Sequence, residues 1–322
     1  MVSRISALAL VTIGALFSAS ALAQLYPSKP VSFVVPYPPG GGTDIVARLL
    51  AQKMAESTGQ PVVVENKPGA SGQVGTGLVA KAAPDGYSMV IGGTPLTINP
   101  GLYRTMPYDV LTDLTPLSLL VSQPLVLVVH PSVPANSVKE LIALAKAKPG
   151  TINYASASSG SGGHLATELF KTMSGIDMTH VPYKGTAPSV TAILSGEVGV
   201  LFDNPGTSLP HIQAGKLRAL AVTTRVRSPQ LSAVPTLQEA GVDGYEVISW
   251  FGVLGPGRLP KPLAERLSGE LSKAMQHPEV KDKLTQMGFT VVGNTPEQFG
   301  AFLKAEVAKW KRVIEISGAK AD

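Results

Sequence analysis

Two stretches rich in glycine and serine have the composition of loops that bind anions through backbone N–H groups. The first, residues 37–44, reads Tyr-Pro-Pro-Gly-Gly-Gly-Thr-Asp, and the second, residues 156–163, reads Ser-Ala-Ser-Ser-Gly-Ser-Gly-Gly. Each stretch follows a short apolar run and precedes a segment with helical spacing, so each is predicted to end at a helix N-terminus. The pair indicates two lobes that grip one anionic ligand.

The first loop is predicted to hold a carboxylate with peptide groups. Gly41, Gly42 and Thr43 present backbone N–H donors, and Thr43 adds a hydroxyl. A side chain at Gly42 is expected to crowd the ligand. Asp44 is anionic and would repel a carboxylate, so bracing of the turn is favoured over contact with a ligand amine or a bridging water. Tyr37 either lies over the apolar body of the ligand or packs in the core.

Polar residues at strand ends and in the second loop complete the predicted site. Thr94 and Asp203 each follow a strand, at the edge where open α/β sheets bind ligands. Asp203 would receive a ligand amine or hydroxyl, a role that fails if its carboxylate is buried and bonded only to protein. His164 begins the second helix and either fixes the loop or packs in the core. The expected ligand-binding residues are Tyr37, Pro39, Gly41, Gly42, Thr43, Asp44, Thr94, Ser156, Ser158, Ser159, Gly160, Ser161, His164 and Asp203.

Composition and motifs exclude several other functions. The chain has no cysteine, which excludes disulfides, thiol nucleophiles and Cys-ligated metals. The net charge is +5, and no dense Lys/Arg cluster indicates a nucleic-acid partner. The 5 histidines lack metal-site spacing, and no P-loop or nucleophile elbow is present. Residues 75–80 fit a dinucleotide fingerprint, but no strand precedes them. We expect no cofactor and no metal.

Strand and helix signals alternate along the 322-residue chain, which predicts parallel sheets covered by helices. We expect a first lobe from residues 24–123 and 250–322, and a second lobe from residues 124–249. The chain is expected to cross between them near 122–124 and 248–251. The predicted fold class is therefore α/β with two lobes, each a mainly parallel sheet flanked by helices, joined by a two-strand hinge.

The N-terminus has the pattern of an export signal. Arg4 precedes an apolar run that ends in a small-x-small cleavage pattern, Ala-Leu-Ala at 21–23. The run is shorter than the ~20 residues of a membrane span, and no basic residue follows it closely. We predict that residues 1–23 are a signal peptide cleaved after Ala23, which places the mature protein in the periplasm of a Gram-negative host.

Short motifs run in order along the mature chain. They are YPSKP at 26–30, VPYPPGGGTD at 35–44, ENKPGA at 65–70, APDGY at 83–87, MPYD at 106–109, NYAS at 153–156, GHL at 163–165, VPYKG at 181–185 and VPT at 234–236. In these motifs the chain resembles the Bug/TctC family of periplasmic solute receptors, which serve tripartite tricarboxylate transporters. Ser158 and Ser159 stand where the family more often has Gly-Asn, which leaves the ligand's identity open.

The resemblance implies a two-lobed periplasmic-binding fold, type II-like, and ligands such as citrate, dicarboxylates, acidic amino acids or aromatic acids. It implies a receptor rather than an enzyme, with the ligand held largely by backbone N–H groups and ordered water. The implied partners are the permease subunits of a tripartite tricarboxylate transporter, and a monomer is expected. Two alternatives stay open: a secreted serine hydrolase or esterase that uses Ser156, and a receptor that feeds a sensor kinase.

Overall fold

The computed structural model describes residues 26–320, so the expected signal peptide, residues 1–23, lies outside the described part of the chain. The strands are β1 (Val31–Val35), β2 (Val62–Asn66), β3 (Ser88–Gly93), β4 (Leu114–Pro124), β5 (Val126–Val129), β6 (Asn153–Ser156), β7 (Thr179–Pro182), β8 (Val200–Asp203), β9 (Arg218–Val222), β10 (Ile248–Pro256) and β11 (Thr290–Val291). The helices are α1 (Gly42–Thr58), α2 (Gln73–Ala80), α3 (Thr94–Leu102), α4 (Val138–Ala147), α5 (Gly162–Ser174), α6 (Thr186–Ser195), α7 (Pro205–Gln213), α8 (Lys261–Gln276), α9 (Pro278–Gln286) and α10 (Pro296–Ser317). Within residues 26–320, no helix has the length and apolar character needed to cross a membrane.

These elements form two sheets. In the described chain, the first sheet has six strands in the order β11-β4-β10-β3-β1-β2, and the second has five in the order β7-β6-β8-β5-β9. β1 pairs in parallel with β2 and β3, and β6 pairs in parallel with β7 and β8. We call the first sheet with α1–α3 and α8–α10 the first lobe, and the second sheet with α4–α7 the second lobe.

The central strands are buried on both faces. In β1, Phe33 and Val35 join one buried cluster while Val34 joins another, which is the period-2 alternation of a strand. In β5, Leu127 and Val128 are divided between two clusters in the same way. The near-continuous apolar runs in the sequence are therefore strands covered by helices on both sides.

The chain passes between the lobes at two adjacent crossings. β4 ends at Pro124 and β5 begins at Val126, while β10 begins at Ile248, which pairs with Pro124. After a crossing, a strand begins on the side of the next sheet where the parallel strands have their carboxyl ends. Val126, the first residue of β5, accordingly pairs with Asp203, the last residue of β8. β5 and β10 therefore run antiparallel to their neighbours. The two-lobed α/β fold is confirmed, but both sheets are mixed rather than mainly parallel, because the pairs made by β5 and β10 and the pair of β11 with β4 are antiparallel.

The lobes also share an apolar contact. Leu102 of α3 and Trp310 of α10 belong to the same buried cluster as Leu165 and Phe170 of α5. Trp310 is fully buried, and its indole N–H donates to Oε2 of Glu306 at 2.9 Å. Helices α3 and α10 therefore pack against the second lobe as well as against their own sheet.

A left-handed turn connects β2 to α2. Ala70 and Ser71 have φ of 45° and 52°, between two glycines that also have positive φ. A left-handed conformation costs a non-glycine residue roughly 1–2 kcal/mol. Asn99 of α3 donates from Nδ2 to the carbonyl of Ser71 at 3.1 Å, and the Tyr103 hydroxyl donates to Ser71 Oγ at 3.2 Å. These two bonds hold the strained turn against α3.

We expect Ala70→Gly to leave the free energy of unfolding unchanged or to raise it by up to about 1 kcal/mol, because glycine adopts a positive φ without alanine's steric penalty. The matched change Ala301→Gly, at an exposed position inside α10, should cost about 1 kcal/mol. Urea unfolding of both variants measures the difference. Equal losses would show that the turn at Ala70 is unstrained.

Candidate functional site

The first loop leads into the N-terminus of α1. Pro39 is exposed, and Gly40 turns the chain with φ of 84°. Gly41 is the N-cap and has no side chain to cap the helix, so the N–H groups of Gly42 and Thr43 remain for another acceptor. Together with the positive end of the helix dipole, these N–H groups form a site that favours an anion.

Asp44 braces this loop from inside. Its Oδ2 accepts from the N–H of Gly40 and from Nε of Arg48, both at 3.0 Å, and its Oδ1 accepts from Nδ2 of Asn66 at 2.9 Å. Asn66 Nδ2 also donates to the carbonyl of Tyr37 at 3.1 Å. Burial raises the pKa of Asp44, but these hydrogen bonds, that of Arg48 foremost, outweigh burial and hold the pKa below its usual range. Both carboxylate oxygens are used within the protein, so we assign Asp44 to bracing rather than to ligand contact.

Tyr37 packs against the left-handed turn. A Cβ on Gly72 would lie 3.2 Å from ring carbon Cε1 of Tyr37, so glycine allows the ring to approach the backbone closely. Burial, with a smaller contribution from Tyr108, raises the pKa of the Tyr37 hydroxyl, which keeps the phenol neutral. Of the two predicted roles of Tyr37, the structure supports packing in the first lobe.

The second loop leads into the N-terminus of α5. Ser161 is the N-cap, and its Oγ accepts from the N–H of His164 at 3.3 Å, which leaves the N–H groups of Gly162 and Gly163 for another acceptor. The ring Nδ1 of His164 accepts from the N–H of Gly160 at 3.0 Å. Gly160 has φ of 77°, which favours glycine, and a Cβ there would lie 2.6 Å from the Leu102 side chain of α3, which would have to shift.

Ser156 and His164 lie behind the second loop. Ser156 is fully buried; its Oγ donates to the carbonyl of Ser158 at 3.0 Å and lies 2.6 Å from Nε2 of His180. The His180 ring stacks on that of His164 with centroids 4.0 Å apart, and on that of Tyr154 with centroids 4.8 Å apart. We therefore move Ser156 and His164 from the predicted ligand contacts to the support of the loop.

Ser158 and Ser159 are half-exposed on the second loop. The carbonyl of Ser158 accepts from the N–H of Ser161 at 3.1 Å, which fixes the turn. Ser158, Ser159 and Ser161 stay predicted ligand contacts because they stand in front of the α5 N-terminus.

Thr94 and Phe251 lie between the two loops. A Cβ on Gly162 would lie 3.6 Å from Cγ2 of Thr94, and a Cβ on Gly42 would lie 3.3 Å from the Phe251 ring. The same ring would lie 3.2 Å from a Cβ on Gly93, the residue before Thr94. The two helix N-termini are therefore brought to the same region, one from each lobe.

The Thr94 hydroxyl has no hydrogen-bond partner within the described residues, although Thr94 is only 4% exposed. A buried polar atom without a partner is costly, and a ligand between the loops would supply a partner for this hydroxyl. Thr94 therefore stays a predicted ligand contact.

The burial and hydrogen bonding of Asp203 do not fit the predicted role in ligand binding. It is 5% exposed, and its Oδ2 accepts from the hydroxyls of Thr207 and Ser208, the latter at 2.6 Å. Burial raises the pKa of Asp203, and these hydrogen bonds offset the rise in part. The carboxylate anchors the first turn of α7 and is bonded within the protein. We therefore withdraw Asp203 from the predicted ligand contacts.

A side chain at Gly42 was predicted to crowd the ligand, but the structure shows that it would also meet protein atoms. A Cβ on Gly42 would lie 3.3 Å from the Phe251 ring, which is a tight contact, and 3.6 Å from Cζ of Phe289, which is an ordinary one, so a side chain there would crowd Phe251 as well as a ligand. A Cβ on Gly41, in contrast, has no atom of the described chain within 4 Å. Gly41 is therefore the position where an added side chain would occupy open space in front of α1.

Three residues of the site were not predicted from the sequence. Asn66 lies in the ENKPGA motif, and its amide ties β2 to both Tyr37 and Asp44. Arg48 follows Asp44 by one helical turn, and its guanidinium lies 3.0 Å from the carboxylate. The i,i+4 spacing of these opposite charges would have predicted this ion pair from the sequence. Phe251 follows the second crossing, and its contact with the loop is set by the tertiary fold alone.

The chemistry of the site is that of peptide groups and hydroxyls. Neither 37–44 nor 156–163 contains Lys or Arg. Over residues 26–320, no group of three or more His, Asp or Glu side chains is placed to hold a metal ion. An anion between the loops would therefore be bound by backbone N–H groups, helix dipoles and hydroxyls.

Two α/β lobes joined by two crossings, with helix N-termini facing the space between them, define the class of periplasmic solute-binding proteins. Rpa4515 of R. palustris, solved with adipate, matches this fold with a TM-score of 0.84 and 40% identity, over 92% of this chain and 100% of that chain. The periplasmic binding protein BugD matches with a TM-score of 0.82 and 35% identity, over 92% and 100% of the two chains. MatC from Rhodopseudomonas palustris, solved with bound malate, matches with a TM-score of 0.81 and 31% identity, over 90% and 100%.

The sequence comparisons narrow the class to a family. The model of TctC, the tripartite tricarboxylate transporter family receptor, matches residues 46–319. BugT of Bordetella pertussis is 39% identical over 300 residues, which cover 92% of this chain and 92% of BugT. The chain therefore belongs to the TctC family of solute-binding receptors, which confirms the resemblance seen in the sequence.

We expect Asp44→Asn to lower the free energy of unfolding at pH 7 by about 2 kcal/mol, because hydrogen bonds to a charged group are lost or weakened. The pKa of Asp44 is depressed in the folded state, so its contribution is present above the ordinary aspartate pKa and disappears as the pH falls through the folded-state value. The stability difference between wild type and variant, measured by urea unfolding, should shrink between pH 7 and pH ~3.

The control for this prediction is Asp282→Asn, at an exposed position on α9. Its stability difference from wild type should be near zero at both pH values. A difference for Asp44→Asn that stays constant with pH would contradict the bracing role of the ionised carboxylate.

Proposed function

We propose that this receptor binds a small dicarboxylate in the periplasm, and that the lobes formed by residues 24–123 with 250–322 and by residues 124–249 close around it. The observation that carries the proposal is the pair of facing helix N-termini, one from each lobe, in loops without Lys or Arg. A ligand with a carboxylate at each end uses both termini. The adipate and malate bound to Rpa4515 and MatC are both of this chemistry and support the choice.

The strength of such binding follows from the donors available. Gly42 and Thr43 offer two N–H groups in the first lobe, and Gly162 and Gly163 offer two in the second. Each hydrogen bond to a carboxylate contributes about 1.5–3 kcal/mol. After the cost of closing the lobes and immobilising the ligand, a Kd on the order of micromolar, about −8 kcal/mol, is expected.

We infer that the protein is a receptor without catalytic activity. The hydrolase alternative requires Ser156 to be deprotonated by a nearby base. Ser156 is fully buried and its one hydroxyl proton goes to the carbonyl of Ser158. Nε2 of His180 lies 2.6 Å from Ser156 Oγ, and the imidazole stacks on the rings of His164 and Tyr154. The geometry thus favours a structural role for this pair.

We further propose that the predicted signal peptide, residues 1–23, exports the protein and is cleaved after Ala23. The mature receptor, acting as a monomer, then delivers its ligand to the permease subunits of a tripartite tricarboxylate transporter. Membership of the TctC family supports this partner over a sensor kinase.

The dicarboxylate proposal predicts that a matched monoacid binds much more weakly. Adipate and hexanoate have the same carbon chain, but hexanoate lacks the second carboxylate. If adipate binds in isothermal titration calorimetry, hexanoate should bind at least about tenfold more weakly, because one helix N-terminus is left without an anion. If malate binds instead, 2-hydroxybutyrate and 3-hydroxybutyrate are the matched monoacids, because each keeps the hydroxyl and lacks one carboxylate.

Before the titrations, the protein is purified without denaturation and analysed by native mass spectrometry. This measurement identifies any acid that co-purifies. A co-purified dicarboxylate and a weak monoacid support the proposal. Equal affinity for adipate and hexanoate, or a co-purified ligand without a carboxylate, would refute it.

Thr94→Val should weaken the binding of the same dicarboxylate about tenfold while leaving thermal stability unchanged or slightly higher, because the hydroxyl has no protein partner to lose. Thr97→Val is the matched control on α3: Thr97 is buried, and its hydroxyl donates to the carbonyl of Thr94 at 3.0 Å. This control should lose stability and keep its affinity. Unchanged affinity in Thr94→Val would remove Thr94 from the site.

A further inference from the structure

The side chain of Gln230, in the second lobe, hydrogen-bonds to the backbone of the first lobe. Gln230 lies in the short 3-10 turn Pro229–Leu231, between β9 and β10. Its Nε2 donates to the carbonyl of Thr285 at 3.3 Å and to the carbonyl of Gln286 at 3.2 Å. Thr285 and Gln286 are the last two residues of α9 in the first lobe. The contact therefore joins the two lobes directly.

The acceptors of this contact are the carbonyls at the C-terminal end of α9. The last carbonyls of a helix have no intrahelical donor and carry the negative end of the helix dipole. At the end of α9, the Thr285 carbonyl accepts from the N–H of Gly288 at 3.0 Å, and the amide of Gln230 provides a further donor. An amide from the opposite lobe thus stabilises this helix end.

The backbone beside Gln230 allows a close approach. Gly288 has φ of 87°, and a Cβ there would lie 2.7 Å from Oε1 of Gln230. Gly206, at the start of α7 in the second lobe, makes a second close contact: its Cβ would lie 3.1 Å from the carbonyl of Met287. Two glycines, one in each lobe, therefore allow the surfaces to meet at the end of α9.

The contact made by Gln230 is adjacent in sequence to Phe289, which packs behind the first loop. Gly288 is followed by Phe289, whose ring centroid lies 5.5 Å from that of Phe251. Both rings lie beside the Cβ position of Gly42, at 3.3 Å for Phe251 and 3.6 Å for Phe289. Gln230 thus connects the second lobe to the segment that packs behind the loop at the α1 N-terminus.

We propose that Gln230 is a positioning residue for ligand retention: its amide holds the second lobe against the end of α9 when the lobes are closed. The proposal rests on the proposed function, because it assigns Gln230 to the closed, ligand-holding arrangement. Gln230 acts through α9 and Phe289, without contact to the ligand. Loss of the amide then speeds ligand release and leaves ligand capture nearly unchanged.

The first test uses adipate as the probe and stopped-flow dissociation as the measurement. Gln230→Met keeps the length of the side chain and removes the amide, so dissociation should become about three- to tenfold faster. Gln230→Lys restores a donor to the same carbonyls and should return the rate to within about twofold of wild type, because a cation suits a helix C-terminus. Gln276→Met, at an exposed position at the end of α8, is the matched control and should not change the rate.

The second test needs no ligand and separates this proposal from the proposed function. The chain has no cysteine, so spin labels can be attached at Lys81→Cys in the first lobe and Lys216→Cys in the second, both exposed positions. Double electron–electron resonance measures the distance between them. In ligand-free protein, Gln230→Met should shift the distribution towards longer distances, and Gln230→Lys should restore it.

The outcomes are distinct. If Gln230→Met changes neither the distance distribution nor the dissociation rate, Gln230 does not hold the lobes together. If Gln230→Met has an effect that Gln230→Lys fails to reverse, the amide donor is not the cause and the proposal is wrong. If wild type binds no adipate, adipate is not a ligand of this receptor. The distance measurement alone then tests the role of Gln230.

Discussion

The rest of the structure depends on one constraint: the chain crosses directly from one sheet to the other, twice, with Pro124 and Ile248 paired at the crossings. A direct crossing requires the carboxyl ends of the parallel strands in the two sheets to face each other. Helices that follow those strands begin at the same edges, so the N-termini of α1 and α5 converge from opposite lobes. The binding site between the lobes is therefore a consequence of connectivity before any particular side chain is chosen.

The side chains then fix the direction in which the peptide groups point. Asp44, held by Arg48 and Asn66, pins the first loop, while Ser161 and His164 pin the second. Loops fixed in this way lose little conformational entropy when an anion binds, which partly compensates for the absence of a cationic side chain in either loop. The charged and aromatic groups near the site mainly hold the backbone, and we propose that the backbone N–H groups contact the anion.

Much of this arrangement could be predicted from the sequence. The apolar runs, the glycine loops and the helical spacing that follows them predict strand–loop–helix units, and the ENKPGA and GGGTD motifs carry the family resemblance. The roles of Asp203, Ser156 and Phe251 could not be predicted, because they depend on which neighbours the fold provides. A carboxylate at a strand end can contact a ligand or accept hydrogen bonds from hydroxyls about one helical turn later in the chain. For Asp203 the position of α7 determines which of these two roles applies.

The central claim is that peptide N–H groups from both lobes bind the same ligand. The most direct measurement is an amide nitrogen–proton correlation spectrum of isotope-labelled receptor, recorded with and without the co-purified dicarboxylate. The account predicts large downfield proton shifts at Gly42 and Thr43 in the first lobe and at Gly162 and Gly163 in the second, because an N–H that donates to a carboxylate is deshielded. Shifts confined to one lobe, or absent from both loops, would contradict it.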